Sequence, residues 1–280
     1  MPIQEGPHGK VELRLDGPVA ELRFTDSEKR NCFSLGLTQD LLELTSQAVN
    51  RDGTKTLVIT ADGPVFCAGA DRSLMESENE SDRNEMLDQY NQAYELLRSH
   101  KIPVIVGAKG AAIGAGASLL CWIADLRIVS NDIEIWWAGG NYGLVPLELA
   151  TYLKNEIGTP LALELLLLGK HRTLTAKEAK NSGLVNRVAP AETVDDVARD
   201  MADLIADLDA NQNVSERLLA ILRSAETEQI GDTLEEARRK QSIGQATTVR
   251  DSVDHIGGRV ILSGGGESDR TGCGASSKRW

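Results

Sequence analysis

Hydrophobic and polar positions first alternate with period two. Val11, Leu13 and Leu15 are interleaved with Glu12 and Arg14, Asp16-Gly17-Pro18 marks a turn, and Ala20, Leu22 and Phe24 alternate again, which predicts a β-hairpin. The period then becomes helical: Ser34 precedes Leu37, Leu41, Leu44 and Ala48, and Asp52-Gly53 closes the run. Thr56–Thr60 reads as a short apolar strand stopped by Asp62-Gly63-Pro64. The charge-rich stretch Glu76–Asn84 reads as a mobile surface loop, and a helix carrying Met86, Tyr90, Tyr94 and Leu97 follows it. Ile102–Val106 is the next buried strand, Gly110–Gly116 a turn rich in glycine and alanine, and the residues through Trp122 an apolar helix. Leu126–Val129 reads as a strand with Ile133–Trp136 beside it. Helices are expected over Leu147–Glu156 and Pro160–Leu168, and Thr175-Ala-Lys-Glu178 is a capping box for a helix that stops at Gly183. Val185–Val188 is the last short strand, and Glu192 to about Ile256 reads as helix.

Strand-plus-helix units followed by helices imply a layered α/β body. The pattern divides into a core at 1–190, a helical region at 191–261 and a Gly- and Ser-rich tail at 262–280 that is expected to be disordered.

The 280 residues suffice for one large domain with a sizeable core, and 41% hydrophobic with 26% charged residues is ordinary for a soluble protein. No run of about 18 apolar residues is present, so no transmembrane helix is expected. Met1–Lys10 lacks the basic and apolar regions of a secretory signal, and a cytoplasmic protein is the expectation. Lys and Arg number 30 against 42 Asp and Glu, a net charge of −12, which argues against general nucleic-acid binding. Only 11 of the basic residues are Lys, a surface that would suit a salt-rich cytoplasm. Cys32, Cys67, Cys121 and Cys273 form no CxxC pair, and His8, His100, His171 and His255 fall in no ligand pattern, so no metal site is expected. Cys67 and Cys121 lie in apolar stretches and read as reduced core residues.

Two glycine turns carry the candidate chemistry: Phe66-Cys-Ala-Gly-Ala-Asp71 after a strand, and Gly110-Ala-Ala-Ile-Gly-Ala-Gly116 between a strand and a helix. Backbone N–H groups at such turns can hold an anion, and two converging turns can form an oxyanion hole. Small residues at these places equally serve tight strand–helix packing. Gly114-Ala-Gly116 lacks the third glycine and the acidic partner of a dinucleotide site.

Phe66–Asp71 resembles the first signature of the crotonase (enoyl-CoA hydratase/isomerase) family. Pro103-Val-Ile-Val, Gly110, Gly114-Ala-Gly116 and Asp125-Leu-Arg-Ile resemble the second. Gly143-Leu-Val-Pro146, Ala162–Gly169 and Ala176–Val185 follow in family order, and Glu28-Lys-Arg-Asn31 resembles the motif on the adenine side. The resemblance runs from about residue 10 to 260. It implies a crotonase-like spiral of repeated ββα units with a C-terminal helical region that promotes oligomers, a homotrimer or hexamer. It also implies an acyl-CoA substrate, with coenzyme A entering as part of that substrate and no further cofactor. The enolate-like thioester oxygen would be held by the backbone N–H groups of Ala70 and Ala115. Fixed dipoles of this kind need no reorganisation, and losing one costs roughly 3–4 kcal/mol.

Hydratases of the family carry two glutamates; at the matching positions this chain has Ser118 and Gly139. The spacing from Gly114 to Asp125 is one residue longer than the family's, and Pro146 to Gly158 one shorter. Single-acid isomerases need one carboxylate, in some of them just after the proline of the GLVP-like turn, which makes Glu148 the candidate base; it can equally be an ordinary acid at a helix N-terminus. Trp136 and Trp137 would flank the acyl pocket with Ser118 and Gly139, or simply pack in the core. Glu134, between Ile133 and Ile135, reads as a solvent-facing strand residue, and Glu164 as structural. Asp71 reads as a cap, while Lys29, Arg30 and Arg72, with Ala68 and Asp71 nearby, are the candidates for CoA contact.

The resulting expectation is an acyl-CoA enzyme of lipid metabolism that performs double-bond isomerisation or related enolate chemistry. Alternatives are an enoyl-CoA hydratase of fatty-acid or amino-acid breakdown, a thioester hydrolase, a non-catalytic acyl-CoA binder, and a structural partner of an active homologue.

Overall fold

The computed structural model describes residues 3–142, 144–208, 214–223 and 261–263, the backbone only at 141, 142, 144–148 and 261–263. Strands β1 (Ile3–Glu5), β2 (Val11–Asp16) and β3 (Val19–Phe24) run antiparallel, β2 and β3 forming the predicted hairpin; β1 is an exposed edge strand that no hydrophobic alternation announces. Ser34 caps α1 (Leu35–Asn50) by accepting the Leu37 N–H at 3.4 Å, and Leu37, Leu41, Leu44 and Ala48 face the core. Strand β4 (Thr56–Ala61) lies parallel to β3. After α2 (Arg72–Met75) comes α3 (Glu80–Ser99), so the stretch read as a surface loop is helical from Glu80 onward. Asn79 caps it at the Asp82 N–H (3.3 Å), and its charges suit a solvent-facing first turn.

Strands β5 (Val104–Ala108) and β6 (Ala111–Ile113) lead to α4 (Ala115–Ser118), which continues as one π turn, Leu119–Ile123. Strand β7 (Leu126–Ser130) lies parallel to β5, but β8 (Glu134–Trp136) is not beside it: β8 joins β6 in a second sheet, the turn at Asn131 and Asp132 carrying the chain across. Then follow β9 (Leu144–Pro146), α5 (Leu147–Ile157), α6 (Thr159–Leu168), β10 (Leu174–Thr175), α7 (Ala176–Asn181), which carries the predicted capping box, and β11 (Arg187–Ala189). Strand β11 starts two residues later than predicted, because the Asn186 side chain is used to accept the Arg127 N–H at 2.7 Å. Helices α8 (Val194–Leu208) and α9 (214–223) occupy the start of the expected helical region; 224–260 lie outside the described residues. Leu262 and Ser263, placed in the tail by the sequence reading, belong to β12 (Ile261–Ser263), antiparallel to β9, while 264–280 lie outside the described residues.

Among the described residues one sheet has the order β1-β2-β3-β4-β5-β7-β11, parallel from β3 onward. A second layer repeats the same succession with shorter pieces: Phe33 bridges Ala70, Cys67 bridges Ala112, and β6 pairs β8. Each turn of the chain thus adds one strand to each layer, which is a spiral of ββα units. The main core lies between the layers and α1 and α3, with Phe24, Phe33, Phe66 and Tyr94 fully buried. Helix α8 covers the other face of the large sheet through Val194, Ala198, Ala202 and Ala206, one residue every fourth position, against Val58, Ile105 and Ile128. Alanine lets it approach closely, and a part-buried ion pair ties it down: Arg199 donates to both oxygens of the buried Glu21 on β3, at 2.9 and 3.0 Å.

Candidate active site

The first glycine turn lies along β6. The Phe66 N–H donates to the Lys109 carbonyl (2.9 Å), Cys67 N–H to Ala111 (3.2 Å), and Ile113 N–H back to Cys67 (2.9 Å). This brings the two turns together backbone to backbone. Gly69 has φ +84°, and a methyl group there would stand 2.6 Å from the Ile113 carbonyl oxygen and 3.6 Å from the Ala115 nitrogen, so only glycine fits. A methyl on Gly116 would likewise meet Cys67 Cβ at 2.6 Å.

The bridge between Phe33 and Ala70 uses the Phe33 N–H to Gly69 O (2.7 Å) and Asp71 N–H to Phe33 O (2.9 Å). The Ala70 N–H therefore points to the other side, and no hydrogen bond among the described residues takes it up. Ala115 is the first residue of α4, so its N–H has no acceptor within the helix. Two backbone donors thus sit on adjoining turns. Trp136 closes one flank: its carbonyl accepts the Gly114 N–H at 2.9 Å, and its side chain is half-buried, with Trp137 buried beyond it. Gly139 begins a 3₁₀ turn to Tyr142 and is half-buried.

The π turn falls within the stretch from Gly114 to Asp125. Ser118 N–H donates four residues back to Gly114 O (3.0 Å), whereas Ala124 N–H donates five back to Leu119 O (3.1 Å). The wider turn thus lies after Ser118, which keeps an ordinary α-helical bond to the glycine turn. Its hydroxyl donates to the Gly114 carbonyl at 3.2 Å. Glu148 is the second residue of α5, which packs against the π turn; its side chain lies outside the described residues. Glu134 is exposed, as its alternation predicts, and Glu164 is exposed and paired with Arg172 at 3.2 Å.

Around the first turn, Ala68 N–H donates to the Arg30 carbonyl (3.0 Å), which places the Lys29-Arg30 loop beside Ala68. Asn31 holds that loop through Nδ2 to the Asp62 and Val65 carbonyls (3.0 and 2.9 Å). Lys29 and Arg30 are exposed. Asp71 is a cap, accepting from Ser73 N–H (2.9 Å) and Oγ (2.6 Å) at the start of α2, and exposed Arg72 pairs with Glu76 at 2.7 Å. Burial, then the charges of Asp71 and Asp26, push the half-buried Cys32 thiol above its usual range, while burial pushes Cys67 and Cys121 up to about 12. Sequence reasoning missed Tyr94 at this site. Its hydroxyl donates to the Ala115 carbonyl at 2.6 Å, and a tyrosine one turn after Tyr90 reads only as core. Among the described residues no cluster of His, Cys, Asp or Glu could hold a metal ion, and no helix is long and apolar enough to cross a membrane.

A family model described as enoyl-CoA hydratase/isomerase matches residues 14–254. The chain is 27% identical over 207 residues to the enoyl-CoA hydratase domain-containing protein 3, mitochondrial, of Rattus norvegicus, covering 72% of this chain and 68% of that one. It is 29% identical to an enoyl-CoA isomerase/hydratase of Mycosarcoma maydis, covering 69% and 70%. Its fold is similar to the crystal structure of an enoyl-CoA hydratase/isomerase from Mycobacterium paratuberculosis, with a TM-score of 0.71 at 24% identity, covering 84% of this chain and 92% of that one.

Proposed function

Because the chain belongs to the enoyl-CoA hydratase/isomerase family, we propose that it stabilises the enolate of an acyl-CoA thioester with the Ala70 and Ala115 N–H groups and moves a double bond. The observation that carries this reading is the pair of backbone donors on turns held together at Gly69. Charge that develops on the thioester oxygen would meet dipoles already in place. Glu148 takes the α-proton of a 3-enoyl thioester. The C–H electron pair moves into the enolate, and the same proton returns at the γ-carbon as the double bond shifts to the α,β position. Water addition is disfavoured, since Ser118 and Gly139 offer no carboxylate and the Ser118 hydroxyl is committed to Gly114.

Lys29, Arg30 and Arg72 would meet the CoA phosphates beside Ala68 and Asp71, and Trp136 and Trp137 would border the acyl group. Coenzyme A arrives as part of the substrate, and no separate cofactor is required. Exposed Leu163 and Leu167 on α6, Leu208 on α8 and Ile221 and Leu222 on α9 support a homotrimer or hexamer.

The test is a panel of short enoyl-CoAs with purified protein and Glu148→Gln, following hydration, double-bond migration and CoA release separately. Migration lost in the variant supports the reading. Hydration as the main product, CoA release without migration, or tight binding with no turnover each overturns it.

A further inference from the structure

Ala115 N–H and Gly114 C=O are the two ends of one peptide group. The carbonyl end accepts two hydrogen bonds, from the Ser118 N–H at 3.0 Å and the Ser118 hydroxyl at 3.2 Å. The next carbonyl, that of Ala115, accepts the Tyr94 hydroxyl at 2.6 Å. Tyr94 is 1% exposed, and its ring is set edge-on against Phe33 (6.3 Å between centroids), Tyr90 (5.3 Å) and Trp122 (6.5 Å), so its hydroxyl has a fixed direction. Phe33 is also the residue whose backbone bridges Ala70. One buried side chain from α3 therefore leans on the neighbour of one N–H donor and bonds the carbonyl of the residue carrying the other.

We propose that Tyr94 and Ser118 are positioning residues that orient and polarise the Ala115 N–H for the thioester oxygen. The proposal rests on the oxyanion reading above. Donors on the Gly114 carbonyl strengthen the dipole of the same peptide group, and each such bond adds cooperatively to the next. The Tyr94 hydroxyl fixes the following peptide, so that the first turn of α4 cannot rotate its N–H groups away. Ser118 acts here through the backbone and needs no proton transfer of its own. Both hydroxyls donate to backbone carbonyls, and both act on the donor.

The test uses the full chain with a saturated, unreactive acyl-CoA labelled with carbon-13 at the thioester carbonyl. Isotope-edited infrared difference spectra are compared for the wild type, Tyr94→Phe and Ser118→Ala. The wild type is expected to lower the carbonyl frequency on binding, and each variant to reduce that displacement by about 10–30% per lost bond, with the dissociation constant unchanged. With a substrate that turns over, kcat falls on the order of tenfold with KM unchanged, short of the hundredfold or more that follows loss of a donor itself. Tyr94→Phe keeps the ring and Ser118→Ala keeps the helix, so failure of one variant to fold leaves the other to decide. Displacement fully retained in the folded variants overturns this proposal alone. No displacement in the wild type overturns the oxyanion reading, and this proposal with it.

Discussion

Gly69 and Ile113 meet backbone to backbone: a methyl group on Gly69 would lie 2.6 Å from the Ile113 carbonyl oxygen, where no side-chain atom fits. That contact sets the distance between the two turns, because Ala70 and Ala115 lie one and two residues beyond it. Gly69→Ala must also adopt φ +84°, a conformation that costs an alanine of order 1 kcal/mol before any clash. The variant is expected to lose about 2–4 kcal/mol in urea unfolding and about a hundredfold or more in turnover of enoyl-CoA. Wild-type turnover in a folded Gly69→Ala protein would show that the donors do not need the turns to touch.

The ion pair of Glu21 and Arg199 is the fastening of α8. Burial alone would raise the Glu21 carboxyl, but hydrogen bonds from Arg199 and Thr60 outweigh it and hold it below its ordinary 4.5. A lowered carboxylate contributes stability that is complete above pH 4.5 and is lost as pH falls through the folded-state value. Arg199→Met removes two charge-assisted hydrogen bonds from the carboxylate of Glu21, a residue 6% exposed, and leaves it with Thr60 and Arg23, an expected loss of about 1.5–3 kcal/mol at neutral pH. It also moves the acid limb of the melting curve to higher pH, since burial is then opposed only by Thr60 and Arg23. Melting temperatures across acid pH check both, and an unchanged acid limb would mean that Glu21 is not the group holding it.

The spiral's strand-and-helix succession was legible because each buried element keeps its own period, as in the stripe of Leu37, Leu41, Leu44 and Ala48 on α1. The loop reading of Glu76–Asn84 went astray at Glu80, where capping by Asn79 outweighs polarity as a signal. Strand β8 was placed in the wrong sheet because its sequence states burial but not partner. The donors Ala70 and Ala115 came from the family resemblance, not from their side chains, which carry no chemistry. The π turn after Ser118 has no sign in sequence, because it needs no special residue to form, only room for a wider ring of hydrogen bonds. Tyr94 was invisible for a similar reason, since a buried hydroxyl gives no sign of its acceptor until Ala115 is placed.

Thiol chemistry separates the described cysteines. Burial pushes Cys67 and Cys121 up to about 12, so at about pH 8 they are inert in the folded chain. Cys32 is also raised, yet it is half-buried beside Phe33, at the edge of the first turn. Among these three, Cys32 is expected to react first with iodoacetamide, and acyl-CoA is expected to slow it about tenfold or more by covering that edge. Peptide mapping after timed labelling gives the answer, and equal rates with and without ligand would place the CoA chain elsewhere.

Helix α9 is fastened to the corner at His100. Arg223 donates to both oxygens of Asp125, at 3.2 and 2.6 Å, and to the carbonyls of Arg98 (2.9 Å) and His100; Lys101 pairs with Glu216 on the same helix at 2.7 Å. The His100 imidazole faces this cationic side, with its Nδ1 buried, and burial together with Arg223 and Lys101 holds it below its ordinary 6.5. The sign follows: the undocked corner takes up a proton near pH 6.5 that the docked one refuses, so docking is complete above that value and weakens as pH falls below it. Hydrogen exchange of the 214–223 amides, corrected for intrinsic rates, is therefore expected to accelerate several-fold between about pH 7.5 and about pH 5.5, and His100→Gln to remove that dependence while Asp125 and Glu216 keep their partners. Exchange that is flat with pH in the wild type, or equally steep in His100→Gln, would locate the sensitivity in another group of this corner.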